Sequence, residues 1–145
     1  MPKVLVVEDE KNMRMFLDIL LREEGYDVLL ADNGWAGLES YRRDHPDIIL
    51  LDLNMPGLDG IAVLKEIRMV DLKQPVIIMT GDTNPETERK VRALGVSDFI
   101  VKGLSLQALT DVLKRLLETP APEISSLPVI ETPASLSKTT ERPSI

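Results

Sequence analysis

At 145 residues the chain has the length of one domain and can bury a core without disulfides or a structural metal. It holds no cysteine, which removes a disulfide framework, thiolate metal sites and a cysteine nucleophile together, and fits a reducing compartment, with the cytoplasm as the expected location. A formal net charge of −7 argues against direct nucleic-acid binding, the start Met1-Pro2-Lys3 is too short for a secretory signal, and no apolar stretch approaches the roughly 20 residues of a membrane span, so proteins are the expected partners.

Five short apolar runs organise residues 1–118. The first, Val4–Val7, leads through Glu8, Asp9 and Glu10 into a helix expected over Lys11–Glu24, with Met13, Phe16, Leu17 and Leu20 on one face and Gly25 as its stop. The second, Val28–Ala31, precedes a helix over Gly34–Asp44 that His45-Pro46 ends, because a residue before proline avoids the helical region. The third, Ile48–Leu51, runs into Asp52. After a turn permitted by Gly57 and Gly60, Asp59 can cap a helix over Ile61–Val70. The fourth, Val76–Met79, ends on Thr80, and its helix starts near Pro85, a good first-turn residue, and stops at Gly95. That helix offers mainly Val91, Ala93 and Leu94 to the core, which makes it a candidate moving part. The fifth, Phe99–Val101, ends on Lys102, and a helix over Ser105–Glu118 follows with a stripe of Leu106, Leu109, Leu113 and Leu116.

Beyond residue 118 the character changes. Residues 119–145 hold half of the ten prolines, nine Ser or Thr and no aromatic side chain, a composition that cannot offset ordering entropy and reads as a disordered tail or linker. Glu123, Glu131 and Glu141 against Lys138 and Arg142 give this tail −1, so −6 of the charge belongs to the domain.

Strands alternating with helices predict an α/β fold, a doubly wound parallel sheet of five strands in the order 2-1-3-4-5 with five helices, flavodoxin-like in architecture. In such a sheet the ligand site lies beyond the carboxyl ends of the strands, where the order reverses. The residues that fall there are Glu8, Asp9, Asp52, Thr80 and Lys102. Three converging carboxylates raise one another's pKa unless a cation neutralises them, and an all-oxygen donor set suits Mg2+, with Mn2+ as a substitute. The bland account of Glu8, Asp9 and Glu10 is that they start the first helix, where acids favour the dipole. Lys102 and Thr80 decide for chemistry: an acyl phosphate on Asp52 would have its charge divided among the metal, the lysine ammonium and the hydroxyl, with Asp52 as nucleophile.

The residues around these positions resemble those of the receiver domain of two-component response regulators. Leu51-Asp52-Leu53-Asn54-Met55-Pro56-Gly57-Leu58-Asp59-Gly60 is similar to that family's phosphoacceptor segment. Val6-Val7-Glu8-Asp9-Glu10, Ala31-Asp32-Asn33-Gly34, Met79-Thr80-Gly81 and Phe99-Ile100-Val101-Lys102 match in the same order. The resemblance implies that Asp52 takes a phosphoryl group from a phosphohistidine on a sensor histidine kinase or a histidine phosphotransfer protein. Glu8, Asp9, Asp52 and the Asn54 carbonyl would hold Mg2+, Thr80 would move toward the phosphoryl group and Phe99 would swing inward. The fourth helix, fifth strand and fifth helix would be read by a downstream protein or output domain, or by a second copy in a phosphorylation-dependent homodimer. On this reading the chain is a signalling phosphoacceptor with modest self-catalysis, not an enzyme, and with His45 as its only histidine it is not expected to phosphorylate itself.

Two positions depart from or modify the pattern. Gly103 stands where the family usually has a proline in a cis bond, so a trans Lys102–Gly103 bond and a looser loop are expected. Asp82, two residues past Thr80 and beyond Gly81, lies near the route of an attacking water and is expected to alter autodephosphorylation. A Mg2+-dependent aspartyl-phosphate phosphohydrolase is the alternative enzyme, but it would need a second Asp where Asn54 stands. Flavin binding is discounted because Glu8-Asp9-Glu10 would repel a phosphate. A degenerate receiver acting as a constitutive interaction module is the remaining alternative, against which the intact Asp52, Thr80 and Lys102 argue.

Overall fold

The computed structural model describes residues 1–103 and 106–117. The tail, Ser105, Glu118 and the side chain of Leu106 lie outside the described residues. Residues Met1–Leu106 form one compact unit. In it five strands, β1 (Lys3–Val7), β2 (Asp27–Ala31), β3 (Ile48–Leu51), β4 (Val76–Thr80) and β5 (Asp98–Val101), alternate with α1 (Lys11–Glu23), α2 (Gly34–Asp44), α3 (Gly60–Val70) and α4 (Pro85–Leu94). The helix α5 (Leu106–Leu117) belongs to the second unit from Gln107 onward, and Leu109 and Leu113, four residues apart, share one face of it, as its leucine stripe predicts.

The strands are all parallel in the order β2-β1-β3-β4-β5, as expected. Register follows from the apolar runs: Val7 pairs with Ala31 on one side and Leu51 on the other, and Thr80 pairs with Val101, so the strands finish level along one edge. β1 lies between β2 and β3, and the order reverses at its carboxyl end. β1 and β3 are covered on both faces and carry no polar residue after Lys3: Val4 to Val7 and Ile48 to Leu51 are each at most 2% exposed. Alternate residues Leu5, Val7, Ile49, Leu51 and Ile78 pack in one cluster with Leu38 of α2, Val63, Leu64 and Ile67 of α3, and Val91 of α4.

Helix ends obey local chemistry. Asn33, Asp59 and Asn84 cap α2, α3 and α4 through their side-chain oxygens, and Pro85 opens α4. Gly25 stops α1 at a φ of 95°, and His45 closes α2 in the left-handed region at a φ of 49°, where the following proline is tolerated.

Two expected faces are corrected. α1 buries Leu17 and Leu21, with Met13 and Leu20 half-buried, while Phe16 is 43% exposed; the helix is turned so that a four-residue spacing, one strip wide, meets the sheet. α4 buries Val91 alone: Leu94 is half-buried and Ala93 faces solvent. Among the described residues no helix is long and apolar enough to cross a membrane.

Candidate functional site

The residues that follow β1 and β3 come together because those strands are neighbours and finish level. The Asp52 N–H donates to the Val7 carbonyl at 3.0 Å and the Glu8 N–H to the Ala31 carbonyl at 3.0 Å, which extends the ladder one step past the strands. One carboxylate oxygen each from Glu8, Asp9 and Asp52 then lies within 4.8 Å of the others. Glu8 and Asp52 are buried, at 2% and 4% exposure. The three acids after β1 divide their work. Glu10 is the true helix cap, its carboxylate accepting from the Met13 and Asn12 N–H groups at 2.7 and 3.2 Å, whereas Glu8 and Asp9 are left for the cluster.

β4 and β5 supply the other side. Thr80 is the last residue of β4 and fully buried, and the Lys102 N–H donates to its carbonyl at 2.7 Å, which sets lysine and hydroxyl on adjacent strand ends. The Lys102 ammonium reaches Glu8 Oε1 at 2.8 Å and Asp52 Oδ2 at 3.2 Å. Burial pushes the Glu8 carboxyl above its usual range, against the pull of the hydrogen bond from Lys102. Burial alone would lower the Lys102 ammonium, but the Glu8 hydrogen bond and the Asp52 charge outweigh it and raise its pKa. Three carboxylates against one ammonium leave two formal negative charges in the cluster, and the donors are hard oxygens. That donor set fits Mg2+, which needs oxygen ligands and takes one or two carboxylates with water.

Asn54 connects the two halves. Its N–H donates to Asp52 Oδ1 at 3.2 Å and its side-chain amide lies 3.3 Å from Thr80 Oγ1, which also accepts the Asp82 N–H at 3.1 Å. Gly81 is open, with nothing within 4 Å of a hypothetical Cβ. No peptide bond among the described residues is cis, so Lys102–Gly103 is trans as expected, and Gly103 turns the chain at a φ of 93°. Phe99 lies three residues before Lys102 and packs against the core cluster. Half-buried on β5 beside Ile78, it carries the Arg92 guanidinium 5.8 Å from its ring centroid.

Arg14 was not singled out from sequence. Its guanidinium donates to the Glu8 and Asp9 carbonyls at 2.9 and 3.3 Å and so ties α1 to the loop that aims both acids. A signal existed: Lys11 and Arg14 put positive charge at the amino end of a helix, against the dipole preference, and an arginine there needs acceptors. The trans-strand pair of Glu8 with Lys102 was likewise not anticipated as a direct contact.

The fold and this cluster define a doubly wound α/β domain with acids, a hydroxyl and a lysine gathered at its switch point. The family model for the response regulator receiver domain matches residues 4–114, and the chain belongs to that family. It is 32% identical over 115 residues to sporulation initiation phosphotransferase F of Bacillus subtilis, covering 79% of this chain and 93% of that protein. It is 34% identical over 116 residues to the regulatory protein AtoC of Escherichia coli, covering 80% of this chain but only 25% of AtoC. Among solved structures, the chemotaxis protein CheY4 of Vibrio cholerae is 31% identical with a TM-score of 0.76, over 81% of this chain and 99% of that one. The chain is thus similar both to most of a relative of comparable size and to about a quarter of a longer regulator.

Proposed function

We propose that this receiver is a phosphoacceptor switch in which Asp52 takes a phosphoryl group from a partner's phosphohistidine. The observation that carries the reading is the convergence of Glu8, Asp9, Asp52, Thr80 and Lys102 from four strand ends, with the lysine 3.2 Å from Asp52. An Asp52 carboxylate oxygen attacks phosphorus, the new O–P bond forms as the donor's P–N bond breaks, and the imidazole leaves with the bonding electron pair. Lys102, already bridging Glu8 and Asp52, moves its charge onto the transferred phosphoryl oxygens. Glu8, Asp9, Asp52 and the Asn54 carbonyl would hold Mg2+, which supplies neutralisation of the acids and of the incoming phosphoryl charge. Thr80 exchanges its bonds from Asn54 and Asp82 for one to a phosphoryl oxygen, and Phe99 moves in behind it. α4, whose one fully buried residue is Val91 with Leu94 packed beside it, shifts with them, and α4 and β5 present the change to a downstream protein or output domain. The share of α5 in that surface rests on the family resemblance. Asp82, beside Thr80, tunes the water that later hydrolyses the acyl phosphate.

Intact mass after incubation with acetyl phosphate tests the reading. One phosphoryl group is expected with Mg2+, and none in a Mg2+-free control or in Asp52→Asn. A folded protein that gains nothing in any arm would replace this reading with that of a constitutive interaction module.

A further inference from the structure

Two cavities of about 430 and 410 Å3 lie between α3 and α4 and share Ile61 as a wall. The first opens beside Asn54 and also touches Asp59, Asp82 and Thr87; the second is walled by Lys65, Lys90, Ala93 and Leu94. Both helices run back from the carboxyl edge of a parallel sheet, so Ile61 to Lys65 and Thr87 to Leu94 advance in the same direction. The cavities therefore lie end to end as one trough. The far cavity is mostly apolar, the near one sets Leu53, Met55, Pro56 and Ile61 among polar groups, and the charges are segregated, acids at the end near the site and lysines at the far end. None of the four charges is paired among the described residues. Asp59 and Asp82 accept only from the Ala62 and Asn84 N–H groups, at 2.9 and 2.8 Å, and Lys65 and Lys90 make no hydrogen bond or ion pair. The neighbouring arginines of α4 are paired, Arg89 with Glu86 and Arg92 with Glu88.

From this arrangement we infer that the α3–α4 trough docks an amphipathic helix of a partner protein, with its basic end toward Asp59 and Asp82 and its acidic end toward Lys65 and Lys90. An apolar helix face laid in a groove supplies affinity, and the segregated charges fix its direction. About three turns, or 11 residues, span roughly 16 Å, which matches a trough bounded by the ten-residue α4. Because Val91 is the single buried residue of α4, the trough can widen around an incoming side chain without opening the core. The inference concerns a surface outside the acid cluster and stands whether or not Asp52 takes phosphate.

The test is an amide-shift titration of the full 15N-labelled chain with a synthetic amphipathic peptide of about 11 residues, leucine on one face, arginines at one end and glutamates at the other. Saturable shifts are expected at Ile61, Lys65, Lys90 and Leu94. A nitroxide at the arginine end is expected to broaden Asp82 and Thr87 rather than Leu94. The Lys65→Glu, Lys90→Glu double variant, whose changes are on exposed side chains, is expected to bind about fivefold more weakly, and a peptide with lysines replacing its glutamates to regain that loss. No saturable shift in the trough, equal affinity for the double variant, or the reverse broadening would overturn the proposal. So would dilution-dependent shifts of the same amides without peptide, which would place a second copy there. The mass measurement with acetyl phosphate is unaffected by any of these outcomes, so the two readings fail separately.

Discussion

Gly60 is where the start of α3 passes close to the backbone of Asp52 and Leu53. A Cβ at this position would sit 2.2 Å from the Asp52 carbonyl oxygen and 2.6 Å from the Leu53 Cα, and backbone atoms cannot rotate aside as a side-chain end can. Gly60→Ala is therefore expected to cost about 2–3 kcal/mol of stability in urea denaturation and to weaken Mg2+ binding, because the peptide that must move carries Asp52. Gly81→Ala is the matched control: its Cβ meets nothing within 4 Å, and the expected change is within about 0.5 kcal/mol. Equal effects of the two substitutions would remove the steric account. Far from the site, Tyr41 gives a pH prediction. Burial, and then the charge of Asp71, raise its hydroxyl above the ordinary value of 10.0. The folded state thus holds this proton more tightly than the unfolded chain, so the contribution is complete below pH 10 and is lost as pH rises through the higher folded value. Between pH 9 and pH 11 the unfolding midpoint of the wild type is expected to fall further than that of Tyr41→Phe. Parallel curves would show that the phenol is not strained by its setting.

At the scale of elements, α1 exposes what an isolated domain has no reason to expose: Met15 at 50%, Phe16 at 43% and Ile19 at 57%. The helix begins two residues after Asp9, so on the proposed function a phosphodonor protein resting on this face would bring its reactive group toward the acid cluster. Phe16→Ser is expected to leave stability within about 0.5 kcal/mol and phosphorylation by acetyl phosphate unchanged, while transfer from a phosphohistidine partner slows. Slowing with both donors would mean that the substitution disturbs the site and not a docking face. The same helix shows where sequence reasoning reaches its limit. Apolar residues at 13, 15, 16, 17, 19, 20 and 21 surround it so fully that periodicity does not select a buried face, and only the fit of Leu17 and Leu21 to the sheet does. The strand ends were legible for the opposite reason: a parallel sheet forces whatever follows each short apolar run to one edge, so Glu8, Asp9, Asp52, Thr80 and Lys102 had nowhere else to go. The Arg14 hold on the Glu8 and Asp9 carbonyls and the approach of Asn54 to Thr80 depend on loop paths and side-chain reach, for which no spacing rule exists.

For the molecule as a whole, the proposed Mg2+ site would couple metal binding to folding. The folded chain holds three carboxylate oxygens within 4.8 Å with one ammonium among them, whereas the unfolded chain spreads Asp52 more than forty residues from Glu8 and Asp9 and offers no such cluster. A divalent cation that binds only the folded state stabilises it by mass action, by about 2.7 kcal/mol when its free concentration is 100 times the dissociation constant. MgCl2 is therefore expected to raise the unfolding midpoint over a chelator at matched ionic strength. Asp9→Asn separates this from general salt effects, because its two consequences have opposite sign. Removing one carboxylate relieves repulsion in the metal-free protein, so the variant is expected to be the more stable in chelator. It also removes a ligand, so its gain from Mg2+ is expected to be the smaller, and the two midpoint curves should cross as Mg2+ is added. Curves that rise in parallel would place the ion away from Asp9, and a variant less stable in chelator would mean that the Asp9 carboxylate holds the loop instead of straining it.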